Sequence, residues 1–304
     1  MNILETDQLG KRYRRTWALR ACSLAVPPGR VVALVGPNGA GKTTLLECVV
    51  GLCLPSEGSV TVLGGLRAGS LDALERVAFV AQDAPLHKFL SVGAMLEVAR
   101  NLSRNFDAPL ARQRLADLAI PLGHKVGRLS GGQQAQLALA LALARHPDLL
   151  VLDEPLARLD PLARYDFMGL VMGAVAEDGV SVIFSSHVVA ELERVADYLV
   201  VLAQGRVQIA GAIEELLDAH GILSGPAADV QGVGAMFAVV HEVRAARRTQ
   251  LIVQRRPSLQ APAGWELEPV SLEELVLAYL REPGAFAPPR PVALGAGRPT
   301  GVTS

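Results

Sequence analysis

RVVALVGPNGAGKTTLLECVVGL, residues 30–52, joins three local patterns in one short stretch. Residues 30–36 are a β-branched apolar run ending in glycine, the mark of a strand buried on both faces. Residues 42–52 carry helical spacing. Between them Gly36, Gly41, Lys42 and Thr43 fit the spacing G-x-x-x-x-G-K-[ST]. Glycines let the backbone curl around a phosphate with its N–H groups pointing inward. A helix starting near Lys42 adds the positive end of its dipole. Lys42 would neutralise the β- and γ-phosphates of a nucleotide, and the Thr43 hydroxyl would ligate magnesium. The plainer reading is a glycine turn between a strand and a helix; the strand-then-helix context favours phosphate binding.

Working outward, RVAFVAQ (76–82), DLLVLDEP (148–155, stopped by Pro155) and GVSVIFSSH (179–187) read as further strands. Buried strands alternating with helical patterns predict an α/β fold with a mostly parallel central sheet and helices on both faces. In such sheets ligands bind outside the carboxyl ends of the strands, and each of the chain's candidate motifs follows a strand or opens a helix. Residues 89–147 have helical character throughout and predict a helical insertion. Beyond about residue 220, MFAVVHEV and QLIVQ read as strands, and SLEELVLAYL (271–280) reads as a helix behind a Ser cap. From Pro283 the chain carries five prolines and four glycines, which predicts a disordered tail over 283–304.

LVLDEP places Asp153 at a strand's end, where a carboxylate reaches a magnesium shell. Along a regular strand Glu154 would face the other way; at a terminus turning into Pro155 both can approach one site. Asp153 then holds the metal, and Glu154 orients or deprotonates an attacking water. A second glycine stretch, LSGGQQ (129–134), needs its own reason. Ser130 and Gln133 form a capping box for the helix that follows. Gly131 and Gly132 weaken that helix by up to ~1 kcal/mol each relative to Ala, so bare backbone there implies close approach of something anionic.

The composition narrows the setting. The 304 residues are half hydrophobic, with 29 Lys plus Arg against 30 Asp plus Glu, enough for one large domain or two modest ones. Nothing in that balance points to a nucleic-acid partner. Cys22, Cys48 and Cys53 are sparse and lack metal spacing, as expected in a reducing compartment. No signal peptide is read in the first residues, and no apolar run approaches the ~18–20 residues of a membrane span.

GPNGAGKTT (36–44), AQ (81–82), LSGGQ (129–133), LLVLDEP (149–155), ARLD (157–160) and SSH (185–187) stand in the order and approximate spacing of the ATP-binding cassette (ABC) ATPases, which the chain resembles. The resemblance covers about residues 1–218. It implies a P-loop NTPase with an N-terminal antiparallel β segment, a helical subdomain at about 83–147, and a small C-terminal α/β extension over 219–282. It implies ATP and Mg2+, bound by Tyr13 stacked on adenine (the alternative being a surface tyrosine) and by Gly36, Pro37, Asn38, Gly39, Ala40, Gly41, Lys42, Thr43 and Thr44. Magnesium would be held by Thr43, Gln82 and, through water, Asp153. Glu154, His187 and Gln82 would be catalytic. In that family two cassettes pair head to tail, so Leu129, Ser130, Gly131, Gly132 and Gln133 would act on the partner's nucleotide, with Asp160 crossing between the two. A two-fold dimer makes this reciprocal.

The chain departs from the family at Leu156 and Ala157, where Ser or Thr is frequent, and at QAQL after the signature, where Lys and Arg are frequent. The resemblance implies a cytoplasmic ATPase subunit, dimeric and seated on the inner membrane face through separate transmembrane permease subunits. A lone cassette, the SLEELVLAYL helix and a short C-terminal part lean toward an exporter of the drug and antibiotic resistance type. The alternatives are an importer ATPase, a soluble cassette acting outside transport, and a non-hydrolysing module.

Overall fold

The computed structural model describes residues 1–157, 159–227, 230–244, 248–255 and 261–284. The chain opens with a hairpin, β1 (Leu4–Tyr13) and β2 (Thr16–Val26), turned at Arg14 with φ 54°. Next come β3 (Val31–Val35), α1 (Lys42–Val49), β4 (Glu57–Val62) and β5 (Leu66–Arg67). Strands β1, β2, β4 and β5 form an antiparallel sheet in the order β2-β1-β4-β5. The helix expected over 42–52 ends at Val49, because Gly51 turns into the left-handed region at φ 79°.

Then follow α2 (Leu71–Arg76) and β6 (Val77–Val80). Between β6 and the next strand the described elements are all helical: α3 (Val92–Leu102), α4 (Ala108–Asp117), a single 3-10 turn, and α5 (Gly131–Leu143). These helices close over their own apolar core, which includes Val92, Leu96, Leu115, Val126 and Leu137.

The chain returns to the centre with β7 (Leu149–Asp153), α6 (Pro161–Asp178), β8 (Ser181–Ser186), α7 (Val189–Leu192), β9 (Tyr198–Ala203), β10 (Arg206–Ala212) and α8 (Ile213–Asp218). The central sheet has six strands in the order β10-β9-β3-β8-β7-β6, and only β10 runs antiparallel to its neighbour. Every residue of β3, β7 and β8 is buried, as strands covered on both faces require. Leu139, Leu150, Phe167 and Phe184 fill one face, while Leu9, Leu34, Leu45 and Val151 fill the other, against the antiparallel sheet. Each such side chain contributes about 1.5–3 kcal/mol by leaving water.

The C-terminal part adds β11 (His220–Pro226), α9 (Val230–Met236), β12 (Ala238–Arg244), β13 (Arg248–Gln254), β14 (Glu266–Glu268) and α10 (Leu272–Arg281). Its antiparallel sheet runs β12-β13-β11-β14. Ser271 caps α10 in a capping box with Glu274. Leu272, Leu275, Val276 and Tyr279 of α10 share one core with Leu199 and Val201 of β9, so this helix is packed into the main body. The expected disordered tail falls, apart from Pro283 and Gly284, outside the described residues.

Parallel order places the chemistry. Val35 pairs with Ser186, Asp153 with Ser185, and Leu152 with Val80. The residues following β3, β8, β7 and β6 therefore emerge along one edge of the sheet, and these are the glycine loop, His187, Glu154 and Gln82.

Candidate active site

The loop from Gly36 to Lys42 is held by its own chain. Ala40 N–H donates to the Pro37 carbonyl at 3.1 Å, and the Ala40 carbonyl accepts from Gly205 N–H at 3.0 Å. Gly41, at φ 105°, could not carry a side chain: a Cβ there would lie 2.5 Å from the Ala18 carbonyl oxygen. Lys42, buried at the first turn of α1, donates from Nζ to the Gly36 carbonyl at 2.8 Å. The same ammonium meets Glu154 Oε1 at 3.1 Å. Pro37, Asn38, Gly39 and Thr43 are exposed at the mouth of the loop, and Thr44 is half-buried behind them.

Asp153 and Glu154 are both bonded by one hydroxyl. Ser185 Oγ donates to Asp153 Oδ1 at 2.6 Å and accepts the Glu154 N–H at 2.8 Å. Glu154 has φ 43°, which breaks the strand alternation at a cost on the order of 1 kcal/mol. This turn resolves the facing problem posed by adjacent carboxylates. Asp153 stays in the core, 2 % exposed, while the Glu154 carboxylate bonds Lys42 through one oxygen and His187 Nδ1, at 3.0 Å, through the other. Lys42, Glu154 and His187 thus form one contiguous set drawn from three strand ends.

Gln82 is exposed. It lines a cavity of about 50 Å3 together with Gly131, Gln134, Glu154, Pro155 and Leu159. That volume suits water and is far below the ~300 Å3 of a small-molecule site. Tyr13 stands beside α1, its hydroxyl 3.4 Å from Cys53 Sγ and Lys11 Nζ 5.1 Å from its ring centroid. The Cys53 bond, with burial second, pushes the Tyr13 hydroxyl up to about 12. Asp160 caps α6, accepting the Ala163 N–H at 3.0 Å.

The 129–133 segment lies apart from the glycine loop, at the start of α5. Ser130 Oγ accepts the Gln133 N–H and Gln133 Oε1 accepts the Ser130 N–H, both at 3.1 Å, the capping box expected from sequence. Gly132 has a reason internal to the chain, since a Cβ there would sit 3.1 Å from Ala163 Cβ of α6. Gly131 and Ser130 are exposed, and Leu129 is buried.

The residues fit magnesium beside a nucleotide. Asp153, Thr43 and Gln82 are all-oxygen donors, and Mg2+ is ordinarily held by one or two carboxylates plus substrate phosphates rather than by a full protein cage. Sequence reasoning quoted Ser185 without seeing that it bonds both the Asp153 carboxylate and the Glu154 backbone N–H. It also missed Arg164 and Glu191, which bond each other at 2.6 Å next to His187. Both are ordinary helical charges with no local motif to mark them.

Behind Gln82 an apolar groove of about 730 Å3 runs between β6 and the helical insertion. Leu71, Leu74, Phe79, Met95, Leu102 and Leu141 line it, and an Arg104–Glu75 pair of 3.4 Å joins two of its rim residues. No helix among the described residues is long and apolar enough to cross a membrane.

The model of a family described as ABC transporter matches residues 19–157. An uncharacterized ABC transporter ATP-binding protein of Nostoc is 34% identical over 71% of this chain and 68% of its own length. An Fe(3+) ions import ATP-binding protein of Pseudomonas fluorescens is 37% identical over 71% of this chain and 63% of its own. An ATP-binding cassette solved as a dimer in a post-hydrolysis state with ADP and Pi superposes with a TM-score of 0.62 at 25% identity, covering 69% of this chain and 98% of that one.

Proposed function

The chain belongs to the ABC transporter family as an ATP-binding, ATP-hydrolysing subunit, and from that premise we propose that it drives a membrane transporter by ATP-dependent pairing of two cassettes. The observation that carries this reading is the contact set around Glu154, which joins Lys42 and His187 within 3.1 Å. On ATP binding, phosphate oxygens replace the Glu154 carboxylate as the partner of Lys42. Glu154 is then free to take the proton of the attacking water, and His187 steadies it and contacts the γ-phosphate. Thr43, Gln82 and, through water, Asp153 would hold magnesium, which would supply positive charge to offset the negative charge of the phosphates. Adenine stacks on the Tyr13 ring.

We assign the ATPase domain to residues 1–218, the helical subdomain to about 83–147 and an accessory subdomain to 219–282. Ser130, Gly131 and Gly132 complete the site of a second copy of the chain. Ser130 takes up the Gln133 and Gln134 N–H groups, while those of Gly131 and Gly132, at the very start of α5, have no acceptor inside the helix, which supports their use by a partner's phosphate. Separate permease subunits dock on the apolar groove behind Gln82, placing the chain on the inner face of the membrane. No nucleic-acid partner is assigned.

Import has the better support as the direction of transport, because the Pseudomonas relative is an Fe(3+) importer. The export expectation rested on a lone cassette, the SLEELVLAYL helix and a short C-terminal part, and α10 as a core-packed element serves either direction. Proteoliposomes of the chain with its membrane subunits test both levels. With ATP supplied to the cassette face, import predicts solute accumulating on that face and phosphate release in step with it. Accumulation on the opposite face would restore export, and no phosphate release from the assembled complex would end the enzymatic reading.

A further inference from the structure

Arg164 joins two loops that hydrolysis uses. From α6 its Nε donates to the Leu159 carbonyl at 2.9 Å, one residue before Asp160. Its Nη1 bonds Glu191 Oε1 of α7 at 2.6 Å. The other Glu191 oxygen accepts from Ser186 Oγ at 3.3 Å, and that Oγ accepts the Val188 N–H at 2.9 Å. Ser186 and Val188 flank His187, whose ring is half-exposed and meets Glu154 at 3.0 Å. The ring's placement is therefore governed by the backbone at 186–188, and that backbone is fastened through Glu191 to Arg164. Arg164, Glu191, His187 and Glu154 also line one cavity of about 60 Å3, so nothing bulky separates the two pairs.

The planar guanidinium suits this linkage. Its N–H groups are fixed relative to one another, so the Leu159 carbonyl and the Glu191 carboxylate cannot move independently while both bonds hold. Arg164 is 40% exposed, and pairs this wet add little to folding.

We propose that Arg164 is a positioning residue for hydrolysis. Through Glu191 and Ser186 it ties the position of His187 against Glu154 to that of the Leu159–Asp160 loop, so displacement of that loop by a second cassette changes the geometry of the hydrolytic pair. This rests on the reading of Glu154 as the base that activates water. The test is steady-state ATP turnover of the full chain assembled with its membrane subunits. Arg164→Met should lower kcat roughly tenfold while leaving KM for ATP within about twofold, since residues in one bonded network couple by factors of this size. Glu191→Gln should do the same, and the double variant should be no slower than the worse single one. A kcat for Arg164→Met close to that of the wild type, or losses that multiply in the double variant, would overturn the linkage. Should Arg164→Met fail to fold, the near-isosteric Glu191→Gln carries the same test. Glu154→Gln, run alongside, separates the two levels: turnover retained there faults the assignment of the base, while turnover lost there and normal in Arg164→Met faults the linkage alone.

Discussion

At the start of α1 the loop from Gly36 to Lys42 is bonded by its own chain from several sides, whereas at the start of α5 the segment Leu129–Gln133 bonds mainly within itself. Lys42 reaches Gly36, and Glu154 across the sheet edge; among the described residues, Ser130 and Gln133 reach only each other through their side chains. Both are glycine-bearing helix starts with donors pointing outward. One is built into the sheet's edge with an acid and a histidine attached. The other rides on a helical insertion with a core of its own and shares a water-sized cavity with Glu154. Under the proposed function, the difference separates a site that performs chemistry from a surface that completes a partner's.

The largest effect tests the first half. Glu154→Gln removes the proposed proton acceptor but keeps a side chain of the same shape between Lys42 and His187. Hydrolysis should fall by roughly 10²–10⁴-fold, the size of a general-base contribution, with ATP binding retained. An ATP-bound dimer should then accumulate, as read by size exclusion with light scattering. A variant that stays monomeric in ATP with its membrane partner present would break the pairing model.

A mixing experiment sharpens the contrast further. Lys42→Ala should cost ATP affinity roughly ten- to a hundred-fold, the worth of a charge-assisted contact, and Ser130→Arg should block the α5 surface. If the surface serves its own chain, mixing the two inactive variants restores nothing. If it serves a partner, a mixed dimer carries one site with both lesions and one site with neither, so mixing restores activity. The chain bearing both changes, mixed with wild type, has no intact site in its mixed dimers and serves as the control. No recovery in the first mixture would return the segment to the role of a helix cap, worth about 1 kcal/mol.

Local patterns carried the sequence reading a long way. The buried strands at β3, β6, β7 and β8, the capping box at Ser130, the Ser271 cap, and the helical insertion expected over 89–147 were all legible, because each depends on residues a few positions apart. What was not legible depends on distant partners. Strands β9, β10 and β11 gave no separate expectation, since their pairing is fixed by neighbours in space. The left-handed turn at Glu154 follows from Ser185, 31 positions away, gripping its N–H. Gly132 read as bare backbone for an anion, yet its contact with Ala163 across the α5–α6 packing explains part of that choice. Arg164 and Glu191, 27 positions apart, look like solvated helix charges until α6 and α7 are placed side by side.

The smallest expected effect lies away from both helix starts and acts as a control on them. His220, 2 % exposed, opens β11 with Nδ1 donating to the Leu216 carbonyl at 2.7 Å and Nε2 accepting the Tyr279 hydroxyl at 2.9 Å. Gln254 donates to the same hydroxyl at 3.2 Å, so the imidazole fastens α8, β13 and α10 together. Burial holds the His220 ring below its ordinary value. The folded state therefore binds this proton less readily than the unfolded chain, whose imidazole titrates near 6.5. The stabilising contribution is whole above about pH 6.5 and is lost as pH falls through the lowered folded value. Thermal unfolding at pH 7.5 and 5.5 should show a decline on the order of a few °C for the wild type. His220→Gln should melt lower at neutral pH but with a flatter pH dependence. An undiminished pH slope in the variant would assign the acid sensitivity elsewhere. A fall in kcat at unchanged stability would mean that the C-terminal extension reaches the nucleotide site, and the division between a chemical edge and its completing surface would then have to include a third region.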